Sequence, residues 1–197
     1  MGPYSADLSA GSLMIPESRH IAELLLRRPG DAEWDHAIKV ENILQKATPS
    51  TAVRQARLIR LRLETLSDSA WALVVNGDQE AAAQTLFAAA VLHSALLRDF
   101  LSSVVASHHR RLETQLSPRV WDSFLADCAA RDPAVETWTA STRAKLLQVI
   151  VRILVEARYL DSSRSLRLRS PHLHPQVRRL LQDLGHTDLI TTLELHA

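Results

Sequence analysis

The chain has 197 residues, a formal net charge of +1 and 46% apolar residues. It is long enough to bury a core, too apolar for disorder, and too evenly charged to carry a global polyanion-attracting field. The single Cys128 excludes an internal disulfide framework, while five glycines and 5% aromatics favour helices packed through Leu, Ala, Val and Ile over sheet.

Residues 1–20 lack the basic n-region and continuous apolar h-region of a signal peptide. A first helix is predicted over 16–28, with Ile21, Leu24, Leu25 and Leu26 apolar, and Pro29-Gly30-Asp31 stops it. Asp31 caps a second helix running to about Lys46. Thr48 followed by Pro49 reads as an N-cap with proline at the first helical position, opening a third helix to about Leu66. At ~100° per residue, Ala52, Ala56, Ile59, Leu63 and Leu66 form one apolar stripe on it. Arg54 and Arg57 lie opposite, sharing that side with Leu58 and Leu61, so this helix is expected between two packing partners.

Helical patterns continue over 69–75, 79–92 and 94–111, with a break at Asn76-Gly77-Asp78. The most membrane-like stretch, 81–97, is interrupted by Gln84, Thr85, His93 and Ser94 and is shorter than the ~20 apolar residues a span needs. A buried core helix is the better reading, and no membrane insertion is expected. Ser117-Pro118 starts a further helix to about Arg131, ended by Asp132-Pro133. Thr139 or Ser141 caps a long helix to about Tyr159, apolar nearly all round over 146–157 and therefore expected at the centre. Two short pieces, 158–160 and 166–169, then flank a turn-rich 161–165 and read as a small β-hairpin. Short helices over 175–184 and 186–195 close the chain. The expected fold is all-α, with a helix–turn–helix-like N-terminal part and a winged-helix-like C-terminal part carrying one β-hairpin. Residues 1–68, 69–115 and 116–197 form three subdomains or one continuous unit.

The run 42–63 holds Lys46, Arg54, Arg57, Arg60 and Arg62 and no acidic residue. Helix, short turn and basic helix is the order in which a second helix enters the major groove. Arginine suits that task because its planar fork donates bidentately to guanine or phosphate. An ordinary amphipathic helix with a solvated basic face fits the same pattern. A second basic segment, 139–170, sets Arg143, Lys145, Arg152, Arg158, Arg164, Arg167 and Arg169 against Glu156 and Asp161. Helix then hairpin is winged-helix order, and a basic wing rests on phosphates or in the minor groove. A surface hairpin paired with nearby acids is the alternative.

No catalytic constellation stands out. There is no GxSxG, no Gly-rich phosphate loop and no HExxH. His172, His174, His108 and His109 lack Cys, Asp or Glu at ligand spacing, and Cys128 sits among apolar neighbours as a small buried hydrophobe. Neither a metal nor a cofactor is expected, and the chain reads as non-enzymatic.

Several short stretches occur in an order that resembles the BrxA family of BREX phage-exclusion systems. Tyr4-Ser5-Ala6 with Gly11 and then 17–26 is similar to that family's opening. Glu41-Asn42-Ile43-Leu44-Gln45-Lys46-Ala47-Thr48 resembles its E-N-x-L-x-K-x-T stretch before a basic helix. Leu97-Arg98-Asp99-Phe100 resembles L-R-D-F, and Trp138-x-x-Ser141-Thr142 resembles W-x-x-S-T before the long helix. The resemblance implies an all-helical protein with helix–turn–helix-like and winged elements, linked to double-stranded DNA binding in a bacterial defence system. That family once carried an inner-membrane label, against which the hydropathy reading speaks.

The function expected is therefore a cytoplasmic, non-enzymatic module that binds double-stranded DNA, with other BREX proteins as partners. Backbone contacts are expected from Lys46, Arg60, Arg62, Arg164, Arg167 and Arg169, and groove contacts from Arg54, Arg57, Thr142 and Arg143. The alternative is a protein–protein adaptor in the same complex, which an exposed apolar patch over 81–97 would support.

Overall fold

A computed structural model describes residues 2–117 and 119–195. A 3-10 turn, Asp7–Ala10, precedes α1 (Ile15–Leu26), α2 (Asp31–Lys39), α3 (Pro49–Leu63), α4 (Asp68–Asn76) and α5 (Gln79–His93). Then come α6 (Ala95–Asp99), a wider π-helical turn (Phe100–Val105), α7 (Ala106–Arg110), α8 (Val120–Arg131), a 3-10 turn (Pro133–Thr137), α9 (Ala140–Glu156), α10 (Pro175–Asp183) and α11 (Thr187–Leu193). The protein is all-helical. Three of the helix starts follow the capping chemistry of the sequence: the side chains of Thr48, Asp78 and Thr139 accept from the backbone amides of Thr51, Ala81 and Thr142. Pro118, expected to open the helix before Arg131, lies outside the described residues.

The centre of the molecule is α5 rather than α9. Every residue from Ala81 to Val91 is buried, and α1, α3, α4, α6, α10 and α11 all pack on it. Small alanines let those neighbours approach closely, and Thr85 hides its hydroxyl by donating to the Ala81 carbonyl. Phe87 meets Tyr159 at 4.8 Å between ring centroids. The expected central position of the 139–159 helix is thus corrected. Helix α9 buries Leu146, Val149, Ile150, Val151, Ile153 and Leu154, but exposes Ser141, Lys145, Gln148 and Arg152 at i, i+4, i+7 and i+11, one polar stripe. Buried side chains from the N-terminal, middle and C-terminal stretches belong to one hydrophobic cluster.

Two other expectations change. The second helix ends at Lys39, not near Lys46, and residues 40–48 form a longer connection than the three or four residues of a helix–turn–helix. Asn42 explains the early stop. It adopts a positive φ of 50°, and its side chain brackets Lys46, accepting from the Lys46 amide at 3.0 Å and donating to its carbonyl at 2.9 Å.

The winged element does not form as a hairpin, since no strand occurs among the described residues. Only isolated antiparallel bridges join Leu160 to Leu168 and Gln115 to Arg167. The cause is Asp161. Its carboxylate accepts from the amides of Ser162 and Arg167 and from the Ser165 hydroxyl, while Leu166 sits at a φ of 51°. Groups that would continue a ladder are spent closing a loop.

No single helix among the described residues is long and apolar enough to cross a membrane. A pair, Gln79–His93 with Ala95–Arg110, passes by length and composition only, is bent by 106°, and includes the buried α5.

Candidate nucleic-acid interface

The N-terminal segment brings the two basic regions together. The 3-10 turn packs on both α3 and α9, and it is fastened at each side. From α9, the Glu156 carboxylate accepts from the Ser12 hydroxyl at 2.9 Å and the Leu13 amide at 2.8 Å, and Arg152 reaches the same carboxylate at 3.3 Å. From α3, Arg62 donates to the carbonyls of Ser12 (2.5 Å) and Gly11 (3.0 Å). Between these walls lies a cleft of about 350 Å³, into which Lys46, Arg54, Lys145 and Arg152 converge against the one lining carboxylate of Glu17. Gln55 and Gln148 line it as well, and the buried Oε1 of Gln55 has no hydrogen-bond partner.

The predicted α3 contacts divide by what already holds them. Lys46 pairs with Glu17, both about four-fifths buried. Arg60 pairs with Glu64 at 2.7 Å and stacks over the Trp34 ring at 4.6 Å, tying α3 to α2. Arg62 is only 3% exposed, so no phosphate reaches it, and its assignment as a backbone contact is corrected. Burial pulls its guanidinium down to about 10, partly offset by Asp7 and Glu156, and it stays cationic at neutral pH. Its role is to anchor the N-terminal segment. Arg54 and Arg57 remain exposed and without an ion pair. Leu58 is buried and Leu61 is 40% exposed, so the expected second packing partner covers only part of that side.

The predicted C-terminal contacts divide likewise. Arg143 donates to the carbonyls of Trp138, Glu136 and Val135, clamping the preceding 3-10 turn to α9, and so has little fork left for a base. The Thr142 hydroxyl is engaged with Thr139 at 2.9 Å in the helix cap. Arg164, Arg167 and Arg169 all project from the Asp161 loop, exposed and without an ion pair. Sequence reasoning named Lys145 and Arg152 in the second basic segment but not as contacts. Their i, i+7 spacing with Gln148 between them was the signal for a common exposed face.

His108 and His174 are engaged within the fold, whereas His172 is exposed. The His108 ring bonds the Val104 carbonyl at 2.8 Å and lies 3.2 Å from Glu113, while His174 receives the Gln176 amide at 3.3 Å. Among the described residues no group of three His, Cys, Asp or Glu gathers to hold a metal. Cys128 is fully buried, and burial pushes its thiol upward, so it is a packing residue.

Fold and site together define an all-helical protein whose two cationic helices flank one cleft. The BrxA family model matches residues 2–185, and the chain belongs to that family. It is 42% identical to BREX protein BrxA of Paramagnetospirillum magneticum strain AMB-1, over 98% of this chain and 96% of the relative. The identity to BREX protein BrxA of Escherichia coli O9:H4 strain HS is 41%, over 97% and 90%. A crystal structure of an uncharacterized protein from Magnetospirillum magneticum superposes with a TM-score of 0.91 at 40% identity, covering 98% of this chain and 99% of that one.

Proposed function

We propose that this protein is a non-enzymatic, cytoplasmic component of a BREX phage-defence system that binds double-stranded DNA. The observation that carries this reading is the convergence of Arg54 from α3 with Lys145 and Arg152 from α9 on one cleft. Two basic segments, far apart in sequence, act as one surface. Arg57 on α3, which lines a separate hollow beside α2, and Arg164, Arg167 and Arg169 on the Asp161 loop are further exposed cations without an ion pair. Exposed, unpaired arginines are the groups that displace condensed counterions from a phosphate backbone. Names of the relatives support the defence role, since they are BREX proteins. Fluorescence anisotropy on a labelled duplex tests the reading: binding at low salt should fall linearly in log affinity with log salt, by about 0.9 per phosphate contact. Absence of binding at low salt overturns it.

A second reading, an adaptor that docks other BREX proteins, draws on a different feature. The stretch 81–91 is buried in α5, as the core-helix reading expects, and offers no exposed apolar patch to such a partner. Instead Leu116, Val120, Trp121, Leu147, Val151 and Leu166 line an open, largely apolar hollow of about 300 Å³ between α8, α9 and the Asp161 loop. Co-purification of a BREX protein that survives nuclease and high salt would favour this second reading.

A further inference from the structure

The α3–α9 cleft is more than a stretch of cationic surface, because it encloses a volume and one of its lining residues, Gln55, carries a buried polar atom without a partner. Its volume of about 350 Å³ falls within the ~300–1,000 Å³ of small-molecule sites. Its floor includes Gly11 and Ser12, whose carbonyls are both turned onto the buried Arg62. The floor's acceptors are thereby occupied, and a fixed positive charge lies behind it. Of the lining cations, Lys46 is neutralised by Glu17 and Arg152 by Glu156, which leaves Arg54 and Lys145 without carboxylates. Two uncompensated cations match the charge of −1.5 to −2 on a phosphomonoester at about pH 7, whereas each diester of a continuous backbone carries one. The Oε1 of Gln55 is buried and partnerless behind this lining; turned outward by rotation of its side chain it gains an N–H or O–H donor, which a fully ionised phosphate does not supply and a nucleoside does.

We propose that this cleft is a pocket for one phosphomonoester of mononucleotide size, either a free nucleotide or the 5′-phosphorylated end of a DNA strand. The proposal rests on the reading of the cleft as polyanion-facing, but it predicts a ligand that duplex binding does not require. Arg54 and Lys145 hold the phosphate, and Gln55, rotated outward, accepts from the nucleoside part.

Isothermal titration of the full chain with dAMP, with deoxyadenosine and with inorganic phosphate tests it at low salt. The expected result is saturable binding of dAMP, none of deoxyadenosine, and competition by phosphate. Arg54→Ala/Lys145→Ala should weaken dAMP by at least about tenfold, because two charge-assisted contacts are lost. Both side chains are exposed and free of ion pairs, so the fold does not depend on them. Arg179→Ala, an exposed cation on α10, should change nothing. A blunt duplex with 5′-phosphate ends is then compared with the same duplex bearing 5′-hydroxyl ends. Tighter binding of the phosphorylated duplex assigns the pocket to DNA ends, and equal binding assigns it to free nucleotides. If dAMP fails to bind while the duplex binds, the pocket is overturned and the DNA reading survives. If dAMP binds and the duplex does not, the DNA reading fails and the pocket stands.

Discussion

Helix α3 and the Asp161 loop carry basic residues at similar density, yet they present them very differently. On α3, Arg62 is buried, Arg60 is shared between Glu64 and Trp34, and Lys46 just before it is paired with Glu17. Only Arg54 and Arg57 face outward unpaired. On the loop, Arg164, Arg167 and Arg169 are all exposed, and the nearby acid, Asp161, faces inward to amides and a hydroxyl. Charge density in a sequence therefore measures neither availability nor function. A cation is available when its carboxylate neighbours are engaged elsewhere, and the loop achieves this by turning its own acid into a structural acceptor.

The largest effect is expected where α3 spends a cation on the fold. Arg62→Ala removes both donors to the Gly11 and Ser12 carbonyls and frees the N-terminal segment. It should lower unfolding stability by about 3 kcal/mol, read from urea denaturation, because hydrogen bonds from a buried charge are worth ~1.5–3 kcal/mol each and are lost with the packing of the aliphatic stem. Unchanged stability would show that the segment is held by Glu156 alone.

Next come the free cations. Arg164→Ala/Arg167→Ala/Arg169→Ala should reduce the salt slope of duplex binding by about 2 to 3, at ~0.9 per contact. Arg54→Ala/Arg57→Ala should reduce it by about 2 and weaken affinity by ~1–3 kcal/mol per good contact. If the loop variant binds like the unaltered protein, the loop is a solvated surface and α3 carries the interface alone.

The helical fold was legible because capping and periodicity are local. Thr48 and Thr139 each mark a helix start within a few residues of sequence, the expected break at 76–78 supplies a further cap in Asp78, and the helical spacing of apolar positions on α3 foretells Ala52, Ala56, Ile59 and Leu63 as buried, whereas Asp31 is the first residue of α2 and not the cap expected of it. What failed depended on distant partners. Nothing near Arg62 says that carbonyls fifty residues away will receive it. The apolar run of α9 looked central because composition does not show which face Lys145, Gln148 and Arg152 share, although their spacing does. The wing fails to form for a local reason. In sequence Asp161 reads as a charge, but in the fold it is an acceptor for Ser162, Ser165 and Arg167, and a closed Asx-type loop competes directly with strand pairing.

A smaller effect is expected for the cations already engaged. Lys46→Ala/Arg60→Ala should change duplex affinity by less than about 1 kcal/mol, because Lys46 is held by Glu17 in a largely buried pair and Arg60 by Glu64 and the Trp34 ring, so neither charge is free for a phosphate. A loss as large as that of Arg54→Ala/Arg57→Ala would mean that both residues leave Glu17 and Glu64 for phosphate on binding.

The smallest effect concerns acid rather than substitution, and it bears on how the loop keeps its arginines free. The Ser165 hydroxyl first, with the amides of Ser162 and Arg167 and the Arg167 charge, holds the Asp161 carboxyl below its ordinary value against the upward push of desolvation. A carboxylate with a depressed folded-state pKa contributes stability above its unfolded value of about 3.9, and that contribution is lost as pH falls through the lower folded value. Hydrogen exchange of the Ser162 and Arg167 amides should therefore be protected at neutral pH and lose protection, after correction for intrinsic rates, only below about pH 4. Asp161→Asn should abolish that pH dependence, since an amide oxygen accepts the same bonds more weakly but does not titrate. Protection that is independent of pH in the unaltered chain would show that the bridges from Leu160 to Leu168 and from Gln115 to Arg167, not the carboxylate, close the loop. The loop would then be nearer to the hairpin that its sequence pattern describes, with Arg164, Arg167 and Arg169 held by backbone pairing rather than by their own acid.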